Sequence, residues 1–301
     1  MRNRPILTNP IARLAAVLAC AAAFALAHAE PLPSGKSLRS VTINGDPIEL
    51  NTYKPPDYRG GPILLVLHGL GANAPGYRDY AIPIADAHGY LVIAPLFDRK
   101  RFPVWRYQTG GLVRNQRAEG EFEVEPESQW AGALFLGVID AVRAIEGNPG
   151  LAYSMLGHSA GAQTLSRFAA FVPNAATHIV IANPSTWLRP LRGERFPYGY
   201  GGLPPRLSDD AALQRYLAQP VTVLLGTADV RRDNNLNVRE GAERQGANRL
   251  ERGRNVFNEA RDVARRHGWP FAWQLVEVPG IGHSARRMFG SAQALDALAP
   301  R

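Results

Sequence analysis

The sequence contains almost no cysteine. Cys20 is the only one in 301 residues, and it lies in an N-terminal segment that we expect to be removed. A mature chain without cysteine has no disulfide, no thiol nucleophile and no cysteine-based metal site. His, Asp and Glu also form no cluster with the spacing of a metal site, so we expect no bound metal.

Blocks of lysine or arginine alone are also missing. The formal net charge is +8, from 34 basic and 26 acidic residues, and the arginines are interleaved with acids along the chain. A basic surface can favour anionic partners. Because no concentrated basic patch is visible, we expect no nucleic-acid partner.

Long apolar runs are missing except at the N-terminus. Residues 14–26 are apolar, follow three arginines and precede Ala27-His28-Ala29, which is a small-residue cleavage signal. The run is too short to span a bilayer comfortably. We therefore interpret residues 1–29 as a signal peptide, expect no stable membrane insertion after cleavage, and predict a periplasmic or secreted bacterial protein.

Apolar runs of strand length alternate with helical patterns along the rest of the chain. Residues 63–67 are continuously aliphatic, as in a strand buried on both faces, and residues 129–145 have apolar side chains at helical spacing. This alternation predicts βαβ units, a mostly parallel sheet and a single α/β domain over residues 30–301. Asn44-Gly45 predicts a hairpin turn near the start.

Three stretches interrupt this alternation, and we interpret them as lid-like loop insertions: about 97–128, 184–220 and 230–254. Long loops at the edge of a parallel sheet are often lids or binding walls. Trp187 follows a predicted strand within the second insertion and is a candidate wall of a substrate site. A buried loop aromatic is the alternative interpretation of Trp187.

The most informative segment is Gly157-His158-Ser159-Ala160-Gly161, which lies between a predicted strand and a predicted helix. G-x-S-x-G at such a junction is typical of a nucleophile elbow, which predicts Ser159 as the nucleophile. An oxyanion needs two donors. We expect them to be the backbone N–H groups of Ala160 and of Leu70, in the glycine-rich turn after residues 63–67.

A serine nucleophile also needs a base and a carboxylate that orients the base. His283 is the predicted base, because it lies on a glycine-rich loop after the last predicted strand. Asp229, just beyond the predicted strand 221–225, is the predicted acid, with Asp233 as its rival. Activity should then decline below about pH 6–7, where imidazole becomes protonated.

Four features together resemble the α/β-hydrolase superfamily: the turn His68-Gly69-Leu70-Gly71, the elbow at Ser159, the acid Asp229 and the base His283. The resemblance implies an eight-stranded, mostly parallel sheet, a serine–histidine–aspartate triad and no required cofactor. Within that superfamily, the motifs and the export signal look most like secreted bacterial esterases of the feruloyl esterase, poly(3-hydroxybutyrate) depolymerase and dienelactone hydrolase neighbourhood. The implied function is hydrolysis of a small or polymeric ester; a serine peptidase and a non-catalytic binding protein on the same scaffold are the alternatives.

Overall fold

The structure is a computed structural model that describes residues 30–114 and 122–300. The predicted signal peptide and residues 115–121 of the first insertion lie outside the described residues. In the described part, eight strands form one sheet: β1 (Gly35–Ile43), β2 (Asp46–Lys54), β3 (Ile63–Leu67), β4 (Leu91–Leu96), β5 (Tyr153–His158), β6 (Ile179–Ala182), β7 (Val221–Gly226) and β8 (Gln274–Val278).

Ten α-helices are present in the same residues, together with a short 3-10 helix, Glu127–Gln129. The α-helices are α1 (Ala74–Tyr80), α2 (Ile82–His88), α3 (Ala131–Ile145), α4 (Ala160–Phe171), α5 (Pro205–Ser208), α6 (Asp210–Leu217), α7 (Glu240–Glu243), α8 (Arg249–His267), α9 (Ala285–Phe289) and α10 (Ala292–Ala297). No helix among the described residues is long and apolar enough to cross a bilayer.

The sheet has the strand order β1-β2-β4-β3-β5-β6-β7-β8. Strands β4, β3 and β5 to β8 run parallel to one another, whereas β2 pairs antiparallel with both β1 and β4. The predicted mostly parallel, eight-stranded sheet with flanking helices is confirmed. Because the parallel strands end at one edge, the loops that follow β3, β4, β5, β7 and β8 meet there.

The hairpin between β1 and β2 has the predicted two-residue turn. Asn44 and Gly45 both have positive φ, 50° and 85°. A turn with two positive φ values matches the twist of the flanking strands, and asparagine and glycine tolerate it best. Asp46 pairs directly with Ile43, so the turn consists of Asn44 and Gly45 alone.

Apolar side chains cover both faces of the sheet. One core cluster packs α3, α4, α6 and α8 against the sheet, with Phe135, Phe168 and Tyr216 among its members. The other packs α1, α2, α9 and α10 against the opposite face, with Ile84 and Met288 among its members. The central strands are therefore buried on both sides, which accounts for their continuous aliphatic runs.

The insertions contain more helix than the sequence predicted. Within 184–220 the structure forms α5 and α6, and within 230–254 it forms α7 and the first turn of α8. Helix α8 begins within the third insertion, at Arg249, because the Asn248 side chain accepts a hydrogen bond from the Glu251 backbone N–H and caps the helix. The last described helices, α9 and α10, are short and are separated by Gly290 and Ser291.

Buried arginines tie the second insertion to the core. Arg167, in α4, is fully buried and donates hydrogen bonds to the backbone carbonyls of Gln163, Thr186 and Pro197. Burial lowers the pKa of Arg167 to about 10. Arg252, in α8, is equally buried and donates to the carbonyls of Ser185, Asn237 and Gly246, so it links the second insertion to the third.

Candidate active site

Ser159 lies on a sharp turn between β5 and α4. Its φ is 58° and its ψ is −115°, a region in which a residue with a side chain is strained by about 1–3 kcal/mol. The surrounding backbone holds this conformation: Ser159 N–H donates to the Ala182 carbonyl at 3.0 Å, and Gln163 N–H donates to the Ser159 carbonyl at 3.0 Å. The turn projects the serine into a cleft at the edge of the sheet.

The two glycines of the motif are required by close backbone contacts. A Cβ added at Gly157 would lie 2.6 Å from the Gly161 carbonyl, and one added at Gly161 would lie 2.2 Å from the Leu67 carbonyl oxygen. Neither neighbour is a flexible side chain, so neither can move away cheaply. The motif therefore serves the close packing of β5, α4 and the end of β3.

His283 lies on the loop between β8 and α9 and reaches Ser159. Its Nε2 is 3.0 Å from Ser159 Oγ, a distance at which the serine hydroxyl can donate to the imidazole. Backbone contacts fix the loop, since Ala228 N–H donates to the Ile281 carbonyl at 3.0 Å and Gly280 N–H donates to Thr227 Oγ1 at 2.9 Å. The loop after β8 is thus held to the loop after β7.

Asp229 meets the other nitrogen of the same ring. His283 Nδ1–H donates to Asp229 Oδ2 at 2.7 Å, and the Asp229 side chain is 1% exposed. The structure therefore brings the three sequence-predicted residues into one hydrogen-bonded chain. The orientation is that required for Nε2 to accept a proton from the serine.

Asp233 binds Arg249 instead of the imidazole. The Arg249 guanidinium donates to both Asp233 oxygens, at 2.8 and 2.9 Å. These hydrogen bonds lower the pKa of Asp233 to about 2. Arg249 is fully buried and also lies 3.5 Å from Asp229 Oδ1, so one arginine contacts both acids that the sequence offered as alternatives.

The two expected oxyanion donors flank the serine. Ala160 is the first residue of α4, and Leu70 lines the cleft that contains Ser159. Neither backbone N–H donates to another backbone group among the described residues. A Cβ added at Gly69 would lie 3.6 Å from Ser159 Cβ, which shows how closely the turn after β3 approaches the serine.

His68 holds that turn in place. Its Nδ1–H donates to the Gly69 carbonyl at 2.8 Å, its Nε2 accepts from Phe97 N–H at 3.0 Å, and its carbonyl accepts from the Tyr107 hydroxyl at 2.8 Å. Burial lowers the pKa of His68, in keeping with a neutral ring that both donates and accepts. The histidine thereby joins the turns after β3 and β4.

His158 contacts the imidazole of His283, which the sequence did not indicate. The two ring centroids are 4.6 Å apart, and the Tyr77 hydroxyl hydrogen-bonds His158 Nδ1 at 3.2 Å. Burial lowers the pKa of His158 well below its usual range, and the nearby His283 and Arg249 act in the same direction. His158 is therefore neutral and adds no positive charge beside His283.

Trp187 does not lie where a substrate wall requires it. The side chain is fully buried in the core cluster that includes α4 and α6, and its backbone N–H donates to Gln245 Oε1 at 2.9 Å. It is not among the described residues that line the cleft around Ser159. The alternative interpretation, a buried loop aromatic, describes its position.

The cleft beside Ser159 has a volume of about 490 Å³. Leu70, Tyr80, Arg99, His283 and Arg286 are among its lining residues. Across the described residues, no group of three or more His, Cys, Asp or Glu side chains is placed to hold a metal ion. The arrangement can therefore supply a nucleophile, a base and backbone donors from the protein itself.

Two solved structures are similar to this chain over nearly its whole described length. Poly(aspartic acid) hydrolase-1 from Sphingomonas sp. KT-1 is 34% identical, with a TM-score of 0.80, over 88% of this chain and 99% of that one. LpqC, a poly(3-hydroxybutyrate) depolymerase from Bordetella parapertussis, is also 34% identical, with a TM-score of 0.77, over 89% of this chain and 96% of that one.

More distant structures share the fold alone. The siderophore hydrolase EstA from Aspergillus nidulans is 10% identical, with a TM-score of 0.51, over 88% of this chain and 94% of that one. Comparison with models of known protein families and with curated proteins finds no match. The sheet topology and the two relatives at 34% identity place this chain in the α/β-hydrolase superfamily, to which it belongs.

Proposed function

We propose that the protein is a serine hydrolase that cleaves carboxylic esters through an acyl-enzyme. The hydrogen-bonded chain from Ser159 Oγ to His283 Nε2, at 3.0 Å, and from His283 Nδ1 to Asp229, at 2.7 Å, carries this proposal. Serine is a poor nucleophile alone, and this chain provides the base and the orienting carboxylate that it needs.

The reaction begins when Ser159 Oγ attacks the carbonyl carbon of the ester and its proton passes to His283 Nε2. Asp229 holds the ring in the required tautomer and stabilises the imidazolium. The N–H groups of Leu70 and Ala160 donate to the oxyanion of the tetrahedral intermediate.

The intermediate collapses when the bond to the leaving oxygen breaks and His283 gives its proton to the departing alcohol. Water then attacks the acyl-enzyme, with His283 again accepting a proton, and releases the acid and the free serine. Activity is expected to fall in acid, because a protonated imidazole accepts no proton from Ser159.

A Ser159→Ala variant tests the proposal. Turnover of a p-nitrophenyl ester should fall at least about 10³-fold, while the unfolding temperature stays near that of the wild type. Labelling with a fluorophosphonate should modify the wild type and leave the variant unmodified. Wild-type turnover by Ser159→Ala would refute the mechanism, and a wild-type protein inert to both reagents would favour a binding protein on a hydrolase scaffold.

Amide hydrolysis is the second candidate, and the relatives support keeping it. One is named as a hydrolase of poly(aspartic acid), whose units are joined by amide bonds, and the other as a depolymerase of poly(3-hydroxybutyrate), whose units are joined by ester bonds. Turnover of a p-nitroanilide and a p-nitrophenyl ester with the same acyl group compares the two activities. A polyester film assay then tests for a polymeric substrate.

We further propose that residues 30–301 form a single domain that acts after export to the periplasm or medium. The charged, apolar and small-residue regions of residues 1–29 support export. Expression in a bacterial host followed by N-terminal sequencing of the exported protein should give Glu30 as the first residue. Retention of residues 1–29 in the exported protein would contradict the cleavage.

A further inference from the structure

The cleft beside the serine carries positive charge. Arg99, on the loop after β4, and Arg286, in α9, line it together with Ser159. No aspartate or glutamate is among the described residues that line it. The two guanidinium groups come from separate elements, so their presence in one cleft does not reflect a single basic run of sequence.

Neither arginine is engaged by the rest of the described chain. Arg99 and Arg286 are exposed and make no side-chain hydrogen bond or ion pair with another described residue. Their sequence neighbours differ: Arg101 pairs with Asp98 at 2.6 Å, and Arg287 donates to the Gly280 carbonyl at 3.3 Å. Two unpaired cations therefore remain at the cleft, available to a ligand.

The acid that precedes Arg99 and the two acids on the loop after β7 are already paired. Asp98 binds Arg101, Asp233 binds Arg249, and Asp229 contacts both His283 and Arg249. These pairs cancel much of the negative charge near the serine. With Arg99 and Arg286 unpaired, the charges of these residues sum to a net positive value, and clefts concentrate such fields on an entering substrate.

An apolar hollow adjoins this charged cleft. It has a volume of about 140 Å³, shares Gly69, Leu70 and Arg99 with the cleft, and is also lined by Phe97 and Phe102. It therefore lies on the side of the expected oxyanion donor Leu70. A short aliphatic chain fits such a hollow, with its far end near the Arg99 guanidinium.

We propose that the cleft selects substrates whose chain carries a free carboxylate a few methylenes from the scissile carbonyl. Arg99 and Arg286 bind that carboxylate, and the hollow beside Leu70 takes the aliphatic part. The selection rests on the proposed hydrolase function. Arginine suits this role because its planar guanidinium pairs with both oxygens of a carboxylate.

A matched pair of substrates tests the charge preference. Mono-p-nitrophenyl adipate and its methyl ester share the acyl chain and leaving group, and differ in the distal negative charge. At low ionic strength the ratio of their kcat/KM values should favour the anion by roughly 5- to 20-fold. The ratio should approach one in about 1 M NaCl, where the Debye length falls to about 3 Å.

Substitution of each arginine should lower the same ratio. Arg99→Gln and Arg286→Gln are each expected to reduce it by roughly two- to fivefold. Arg39→Gln is the matched control: it removes the same charge from an exposed site on the edge strand β1 and should leave the ratio unchanged. A wild-type ratio near one at low salt, or an equal effect of Arg39→Gln, would overturn the proposal.

A binding measurement tests the anion site without depending on hydrolysis. Fluorescein-labelled hexaglutamate should bind the Ser159→Ala protein at low salt, and the Arg99→Gln/Arg286→Gln exchange made in that protein should weaken binding roughly 5- to 20-fold. If the wild type hydrolyses neither adipate and is also inert to the fluorophosphonate, the hydrolase proposal fails while this anisotropy titration still decides the anion site. Unchanged affinity in the triple variant would refute the site.

Discussion

Substitution of aspartate by asparagine distinguishes between Asp229 and Asp233, the two candidates for the acid that orients His283. Asp229→Asn changes the group that accepts the hydrogen bond from His283 Nδ1 at 2.7 Å. An amide NH2 group turned toward the ring donates to Nδ1 instead, which leaves the ring proton on Nε2. That nitrogen then accepts no proton from Ser159, so the attack on the carbonyl is suppressed.

The expected losses differ by orders of magnitude. A histidine in the wrong tautomer costs about 10⁴-fold in kcat in a serine hydrolase, or about 5.5 kcal/mol of transition-state stabilisation. Asp233→Asn leaves the 2.7 Å contact of His283 in place and weakens the hydrogen bonds to Arg249 at 2.8 and 2.9 Å. A partly exposed pair of this kind is worth up to about 1 kcal/mol, so activity should fall about fivefold or less.

Steady-state rates with p-nitrophenyl butyrate, normalised to the concentration of folded protein, measure both variants. Thermal unfolding of each variant checks that the comparison is made between folded proteins. An Asp233→Asn variant that loses as much activity as Asp229→Asn would refute the assignment of Asp229 as the orienting acid.

Three further outcomes are expected from the packing and charges. Gly161→Ala places a Cβ 2.2 Å from the Leu67 carbonyl oxygen, so it should lower the free energy of unfolding by about 1–3 kcal/mol and remove most of the activity. Gly193→Ala is the control, because a Cβ at Gly193 meets open space, and it should change neither stability nor activity. Urea unfolding and ester hydrolysis measure both variants. Arg167→Met removes the guanidinium donor from three carbonyls, two of them in buried hydrogen bonds, and should cost about 2–4 kcal/mol in urea unfolding; an unchanged midpoint would contradict this role. The pKa of Asp233 is lowered from 3.8 to about 2 in the folded protein, so its stabilisation is present above pH 3.8 and is lost as the pH falls toward 2. Because its side chain is 36% exposed, the difference in unfolding free energy between wild type and Asp233→Asn should be about 1 kcal/mol at neutral pH and should vanish near pH 2; a constant difference would contradict it.

The frame of the fold and the spatial convergence of the site could be predicted from sequence because both follow from short, local patterns. The aliphatic run of β3 and the helical spacing of α3 each specify one element. Ser159, Asp229 and His283 each follow a predicted strand, and parallel strands bring such positions to one edge. Their catalytic roles remain predictions until the variants are measured.

The sequence left Asp229 and Asp233 as alternatives, because a local pattern does not predict the contact between Asp233 and Arg249. Both carboxylates follow β7, and it is the buried guanidinium of Arg249 that engages Asp233 while His283 takes Asp229. Composition predicts arginine at the surface. The sequence therefore did not indicate that Arg249 and Arg252 are fully buried, nor which groups they bind.

The helices within the insertions were missed for a related reason. Prolines and glycines between residues 184 and 220 favour loops, yet Asp209 caps α6, and Leu213 and Tyr216 bury that helix against the core. Trp187 was a candidate wall of the cleft because it follows β6, and a buried loop aromatic was the alternative. The sequence did not decide between them, whereas the structure shows the Trp187 side chain fully buried.

The first turn of α8 has a consequence for exchanging loops among relatives. Arg249 reaches the Asp229 loop, and Arg252 reaches carbonyls in both the second and third insertions. An insertion from a relative that places no carbonyl at those positions would leave the buried Arg252 guanidinium without its acceptors. An exchange of the second or third insertion with a relative is therefore expected to preserve the Asp229 loop only if the start of α8 is moved together with it.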